Sequence, residues 1–408
     1  MTNGDQMRDV AVVGLGPSGL AAALALAHIG ADVIAVGPLP VPTGGGVPET
    51  RTAALLSSSV DLLKTLGVWP ALEPHAAPLK AIRIIDASRS PFRAPDIEFA
   101  ANELGLEAFG YNIGNTALVQ ALLARAQAVL PSVIVGTVSK ITIEESKAVL
   151  SLSDGEQLCV RLVAGADGRN SICRKAAGIG ATERRYDQAA IATSFSHAHP
   201  HHDVSTEFHK EGGSVTTVPL PDPRASSLIW VGAKEEIAGL MRLDADAFAD
   251  TLSLRLDGLL GAISNIGPCA EFPVAGLVAD RLAARRTVLV GEAAHILPPI
   301  GAQGLNLGFR DAASLADCVA EALREHRDTG GEDVLDAYRS SRGLDVMTRT
   351  LGADLLSRSL LTSFPPLQGA RGLVMQSLKG LPILRRAVMR VGLAPPTELP
   401  SLMRARGT

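Results

Sequence analysis

Cysteine is scarce and scattered: Cys159, Cys173, Cys269 and Cys318 are the four in 408 residues, and no CxxC pair occurs among them. That spacing argues against a zinc site or a disulfide framework and fits a reducing compartment. Aromatic residues make up only 3% of the chain and the formal net charge is −4. Little is therefore available to stack on bases or to neutralise a polyanion, which argues against a nucleic-acid partner. The opening run MTNGDQMRDVAVVG passes from a polar tail directly into a strand pattern, without the basic, apolar and small-residue regions of a secretory signal. The apolar stretch from Leu20 to Ile29 is about half the roughly 20 residues that a bilayer crossing needs. A cytoplasmic protein is expected. Mean hydropathy is nonetheless positive at +0.22, which points to an apolar substrate or to contact with the inner face of the cytoplasmic membrane.

The length suits one large domain and a smaller one, with a core that needs no staples. Asp9 to Gly14 reads as a buried strand, Gly19 to His28 as a helix and Ala31 to Val36 as a second strand, a βαβ beginning of a doubly wound sheet. After the Pro/Gly-rich stretch PLPVPTGGGVPETR, a helical pattern spans Thr52 to Leu66 and another spans Asn115 to Leu130. Residues 187–235 alternate as antiparallel strands, and helical patterns return at Asp244 to Leu260 and Leu307 to Glu325. No repeat or low-complexity tract interrupts this order.

Three motifs carry chemistry. In Gly14-Leu15-Gly16-Pro17-Ser18-Gly19 the first glycine permits a tight turn, the second lets backbone approach a pyrophosphate, and the third lets helix pack on strand. The helix start then offers free N–H groups and a favourable dipole to phosphate. The acidic residue that usually closes the second strand and holds a ribose is absent, because that place is Gly37. The second motif, Gly165-Ala166-Asp167-Gly168, is on its own either a strand-ending turn or part of a site. In the third, Val290-Gly291-Glu292-Ala293-Ala294-His295 delivers an acidic side chain, Pro298-Pro299 stiffens a turn, and glycines precede another helix. N–H groups at that helix start suit negative charge on a bound ring. His295 reads as a structural residue of the turn rather than a general base, which would have to reach a substrate proton. His197, His199, His201 and His202 read as a polar loop, and no metal is expected.

These motifs, in this order, resemble the 4-hydroxybenzoate hydroxylase-like flavoprotein monooxygenases. Within that group RTAALLSSSVDLLKTLGVW and GAQGLNLGFRDAASLA look most like the ubiquinone-biosynthesis hydroxylases. The likeness runs over about residues 8–345. It implies an α/β fold in which a discontinuous Rossmann-like FAD-binding domain (1–76, 101–182 and 273–345) carries an inserted, mostly antiparallel substrate domain (77–100 and 183–272). A C-terminal helical segment (346–408) follows. By the same likeness Gly14, Gly16, Pro17, Ser18 and Gly19 line the FAD pyrophosphate, with Gly37 close by; Arg51 and Asn115 lie along the cofactor, and Asp167 serves FAD and the nicotinamide donor. Gly291 and Glu292 stand at the ribityl chain, Glu292 replacing the usual aspartate, while Pro299, Gly301, Gly304, Leu305 and Asn306 border the isoalloxazine. Thr116 stands where the ubiquinone group often has arginine.

The implied reaction is flavin-borne: NAD(P)H or another donor reduces FAD, O2 adds at the flavin C4a, and one oxygen atom passes to the ring of a polyprenyl phenol or other aromatic substrate. No side chain is singled out as an acid or base. Val215 to Leu220 and Leu228 to Val231 are candidate pocket segments. Three alternatives stay open: a soluble hydroxylase of small phenols, an isoprenoid-chain reductase, and a catalytically silent FAD-binding member of a quinone-biosynthesis complex. Apolar residues with spaced lysine and arginine between Leu355 and Leu393 fit either peripheral membrane contact or a helix packed on the FAD domain.

Overall fold

The computed structural model describes residues 7–40, 50–87, 95–210, 213–298, 303–361, 376–393 and 398–404, and side chains within 353–361 are left aside. Alternating valine and alanine in Arg8–Val13 builds a strand (β1) whose last four residues are fully buried. It leads through the glycine turn into the helix Pro17–His28 (α1) and then into the strand Val33–Gly37 (β2). β1 pairs in parallel with β2 on one side and with the strand Gln157–Gly165 on the other. Thr287–Leu289 extends the sheet beyond Gln157–Gly165, and Ser132–Val135 extends it beyond β2, both in parallel. Such strands are covered on both faces and accordingly read as continuous apolar runs. Strand order reverses at β1, which makes the crevice between the ends of β1 and Gln157–Gly165 the topological switch point of the sheet.

A nine-stranded sheet forms the second layer. Its spine is the 17-residue strand Ala181–His197, paired antiparallel with Ala225–Ala233 and with Ala270–Ala279; the register shifts between Arg185 and Ala189. Ala81–Asp86 and Ile97–Ala100 complete the far edge, and one pair, Val204–Lys210 with Ala81–Asp86, is parallel. The period of two sends Ile191, Phe195, Leu228 and Trp230 outward onto Ile237, Phe248 and Leu252 of two covering helices. Ala190, Val231 and Val274 pack on the opposite face, with Ile229 and Tyr186.

A three-stranded sheet, Thr52–Leu56, Gly110–Gly114 and Ala76–Pro78, joins the layers. Here the structure corrects the helix expected from Thr52: residues 52–56 are a strand, and the helix begins at Ser57. Pairing with Gly110–Gly114 outweighs local helix preference. Thr52 Oγ1 meets Ser227 Oγ at 3.0 Å, and Asn112 Nδ2 donates to Pro219 O at 2.8 Å, so this small sheet is fastened to the second layer. The helix expected from Leu307 starts earlier, running Gln303–Arg324. The helices Glu332–Leu361 and Pro382–Leu393 come later in the chain; the latter is docked through buried Met389 and through Arg385, whose guanidinium reaches Glu103 at 2.7 Å. Among the described residues no helix is long and apolar enough to cross a membrane.

Candidate active site

The ends of three parallel strands meet in register. Gly14 N donates to Val36 O at 2.7 Å, Ala166 N to Val13 O at 2.8 Å, and Val290 N to Gly165 O at 2.9 Å. All three sequence motifs therefore emerge side by side at the carboxyl edge of the sheet. Their contact is backbone-close. A Cβ on Gly14 would lie 2.2 Å from Ala166 O, and the φ of Gly14, +116°, already disfavours a side chain. The Ser18 side chain stands between two other glycines, with Oγ 2.8 Å from where a Cβ on Gly291 would be and 2.4 Å from one on Gly308. Gly37 also approaches this turn, since its Cβ would sit 2.9 Å from Leu15 N. The missing acidic residue thus has a local reason: a side chain there requires the Gly14 turn to shift.

The first turn of α1 has no acidic residue and no side-chain cap at Gly16, and nothing lies within 4 Å of a Cβ built on Gly16. Uncapped N–H groups below open space are what a pyrophosphate requires, so the residues present fit a dinucleotide. Arg51 lies with its guanidinium 4.9 Å from the centre of the Phe272 ring, and its carbonyl accepts from Asn115 N, the first residue of the helix Asn115–Val129. It precedes a strand rather than opening a helix. Glu292 is exposed on the short helical turn Gly291–Ala293.

Other site candidates face inward. The Asp167 carboxylate accepts from Ser171 Oγ (2.5 Å), Ile172 N (2.7 Å) and Cys173 N (3.1 Å), capping the short helix Ile172–Ala176. From that helix Arg174 donates to Ala293 O at 2.8 Å and so ties the second motif to the third. Asn306 is buried: its Oδ1 accepts from Leu56 N and Ser59 Oγ, and its Nδ2 donates to Ala54 O. It fastens the Gln303–Arg324 helix to the Thr52–Ser59 segment. Gly304 is exposed and Leu305 half-buried at the start of that helix, whereas Pro299 and Gly301 lie outside the described residues.

A buried ion network underlies the third motif. Asp311 accepts from Gly291 N (3.0 Å), His295 Nε2 (2.7 Å) and Arg342 Nε (2.8 Å). Asp345, fully buried, accepts from Arg310 Nη1 and Arg342 Nη1, both at 2.8 Å through Oδ2. Arg349 reaches Asp345 at 3.4 Å and Gln303 Oε1 at 2.8 Å. One network thus grips both ends of the run from Gly291 to Gln303. Burial pulls the Arg310 guanidinium down to about 10 despite Asp345 beside it. Sequence reasoning missed Arg310, Asp311, Arg342, Asp345 and Arg349. The available signal was Arg310-Asp311 within an otherwise apolar helix stretch; Arg342 and Asp345 carry no local sign of burial.

The candidate pocket segments divide by register: Val215, Leu228 and Trp230 belong to the outward core, leaving Ile229 and Val231 on the inner face. The polar-loop reading of the histidines is corrected for two of them. His197 and His201 are buried; His197 Nε2 lies 3.0 Å from Ser226 Oγ, and His201 Nε2 lies 3.1 Å from Leu220 O. Among the described residues no group of three or more potential ligands could hold a metal ion.

Known proteins place this arrangement. Residues 7–351 match the FAD binding domain family. The ubiquinone hydroxylase UbiL of Rhodospirillum rubrum is 31% identical over 389 residues, covering 95% of this chain and 89% of that protein. The 3-demethoxyubiquinol 3-hydroxylase of Escherichia coli is 30% identical, covering 96% of this chain and 100% of that protein. The p-nitrophenol 4-monooxygenase PnpA of Pseudomonas putida superposes with a TM-score of 0.76 at 18% identity, covering 96% of this chain and 99% of its own, a likeness of fold.

Proposed function

This chain belongs to the FAD binding domain family, as an FAD-dependent aromatic-ring monooxygenase of the ubiquinone-biosynthesis group, and on that premise we propose that it hydroxylates the ring of a polyprenylated ubiquinone precursor. The observation that carries the reading is the convergence of the three motifs at the switch point, beneath a second sheet whose inner face is apolar. The names of the two relatives supply the substrate class.

The uncapped N–H groups of α1 hold the negative pyrophosphate, with Gly14, Gly16 and Gly19 allowing backbone contact and Pro17-Ser18 shaping the turn. Glu292, exposed at its turn, would serve the ribityl chain as a hydrogen-bond acceptor. Gly304 and Leu305 open a helix whose positive end would favour negative charge at the ring's pyrimidine edge. Arg51 and Asn115, joined through Asn115 N and Arg51 O, would lie along the cofactor, and Asp167 fastens the second motif to the helix that follows it. The chemistry that FAD supplies when bound is activation of O2 and transfer of one oxygen atom to an electron-rich ring. Ala190, Ile229 and Val231 exclude water from the ring's side of that transfer. NAD(P)H is the electron donor in this reading. The test is a mass-spectrometric profile of lipid quinones in aerated cells lacking the protein. A polyprenyl phenol short of one hydroxyl-derived oxygen should accumulate. An unchanged profile, with no second hydroxylase covering the loss, would favour a small phenolic substrate.

A peripheral position at the inner membrane face, alone or within a quinone-biosynthesis complex, belongs to the same proposal. On the helix Pro382–Leu393, Ile383 and Val391 are 83% and 76% exposed, and Leu384 and Val388 share that side. Exposed Arg386 and Arg390 flank it, the pattern of an interfacial helix on anionic lipid. The protein should co-sediment with phosphatidylglycerol vesicles in a salt-sensitive way, and the double variant Ile383→Glu, Val391→Glu should not. Wild-type protein that ignores such vesicles at low salt would refute membrane contact.

A further inference from the structure

We propose that the apolar cavity of about 650 Å³ between the second sheet and the Glu332–Leu361 helix holds the hydrocarbon tail of the substrate. The inference rests on the polyprenylated substrate class argued above. The size falls within the range of roughly 300–1,000 Å³ typical of small-molecule sites. Its walls are largely aliphatic, including Leu277, Ala279, Leu297, Pro298 and Val346.

Position gives the cavity its meaning. One wall, Ile296–Pro298, leads directly into residues 299–302, the run assigned to the isoalloxazine. Another wall residue, Tyr186, packs against Ala190, Val231 and Val274 on the inner face of the sheet. At the other end Met347 and Leu351 are 53% and 52% exposed, so the cavity opens outward between apolar side chains. A ligand that begins at the ring site and leaves the protein as an uncharged chain matches this shape. The charged residues Arg184, Asp280 and Arg281 are exposed ones, and Arg339 is already engaged by Glu332, Asp336 and Ala283 O.

Gly343 lines the cavity from the middle of its helix, and a Cβ built on it meets nothing within 4 Å. Leucine at this position favours the helix and projects into the cavity, so Gly343→Leu fills the site without burdening the fold. The measurement is equilibrium binding of radiolabelled geranylgeraniol to the FAD-loaded enzyme. Wild type should bind saturably, and Gly343→Leu should bind about tenfold more weakly or worse, with flavin content and visible spectrum unchanged. No saturable binding by wild type, or equal binding by both proteins, would overturn the assignment. Equal affinity for octadecanol would reassign the cavity to straight acyl chains and overturn the isoprenoid part. Binding that is lost in the variant, from an enzyme that hydroxylates no polyprenyl phenol, would uphold the cavity and remove the hydroxylase reading instead.

Discussion

Gly19→Ala is expected to emerge from purification almost free of flavin. The added methyl carbon would lie 2.0 Å from Gly14 O and 3.1 Å from the Ala166 Cβ. That carbonyl has nowhere to retreat. Gly14 is held at a φ of +116°, its N–H is bonded to Val36 O at 2.7 Å, and its α-carbon already faces Ala166 O. The start of α1 must therefore move off the turn, carrying away the uncapped N–H groups proposed to hold the phosphates. Overpacking of this kind costs about 1–3 kcal/mol. If most of that falls on the flavin-bound form, affinity drops by about a hundredfold, equivalent to about 2.8 kcal/mol. The check is the ratio of flavin to protein absorbance after gel filtration, followed by titration with added FAD. Gly16→Ala is the companion variant. Its methyl group meets no protein atom, so it should leave the fold intact and weaken flavin binding alone. Stoichiometric flavin in Gly19→Ala would sink the assignment of this turn to the pyrophosphate.

Asp311→Ala should produce the largest loss of stability. The carboxylate is buried and accepts from a backbone N–H, a histidine and an arginine, so its removal breaks one of the two buried charge pairs of Arg342 and leaves Arg342 Nε, Gly291 N and His295 Nε2 without this acceptor. Breaking a buried charge pair from one side costs about 3–5 kcal/mol. The denaturation midpoint should fall accordingly, with Asp311→Asn between the two proteins. Acid behaviour gives a second signature. Burial alone would raise the Asp311 carboxyl, but the charges of His295 and Arg342 and the donated hydrogen bonds hold it at about 2, below its ordinary value of 3.8. A folded-state pKa below the unfolded one contributes stability that is complete above about pH 4 and is lost as pH falls toward 2. The size is on the order of 2 kcal/mol. Wild type should lose stability steeply across that window, and Asp311→Ala should show a shallower dependence. Equal slopes would remove Asp311 from the account of acid unfolding.

The sheet carrying the site was legible because its physics is local. Buried parallel strands appear as apolar runs, and glycines appear where backbones approach. Thr52–Leu56 was not legible as a strand, because its partner Gly110–Gly114 lies more than fifty residues away and its local pattern also suits a helix. The motif positions were located, but the direction of their side chains was not. Asp167 turns to its own following helix, and Asn306 turns to Ala54, Leu56 and Ser59, bonds that sequence spacing cannot reveal. The Arg310–Asp345 and Asp311–Arg342 pairs span 35 and 31 positions and exist only once two helices cross.

The seat of Ser18 between Gly291 and Gly308 has an evolutionary consequence. Three positions distributed over nearly 300 residues share one small volume. None can enlarge unless another shrinks, and two of them are already at the minimum. Variation at these sites should therefore be rare and correlated, and glycine at 18 is the change that makes room for alanine at 308. At 291 the left-handed backbone, with φ at +60°, withholds even that freedom. Anyone reshaping this turn by random mutagenesis should vary 18 and 308 together, because alanine at 308 alone runs into the Ser18 side chain.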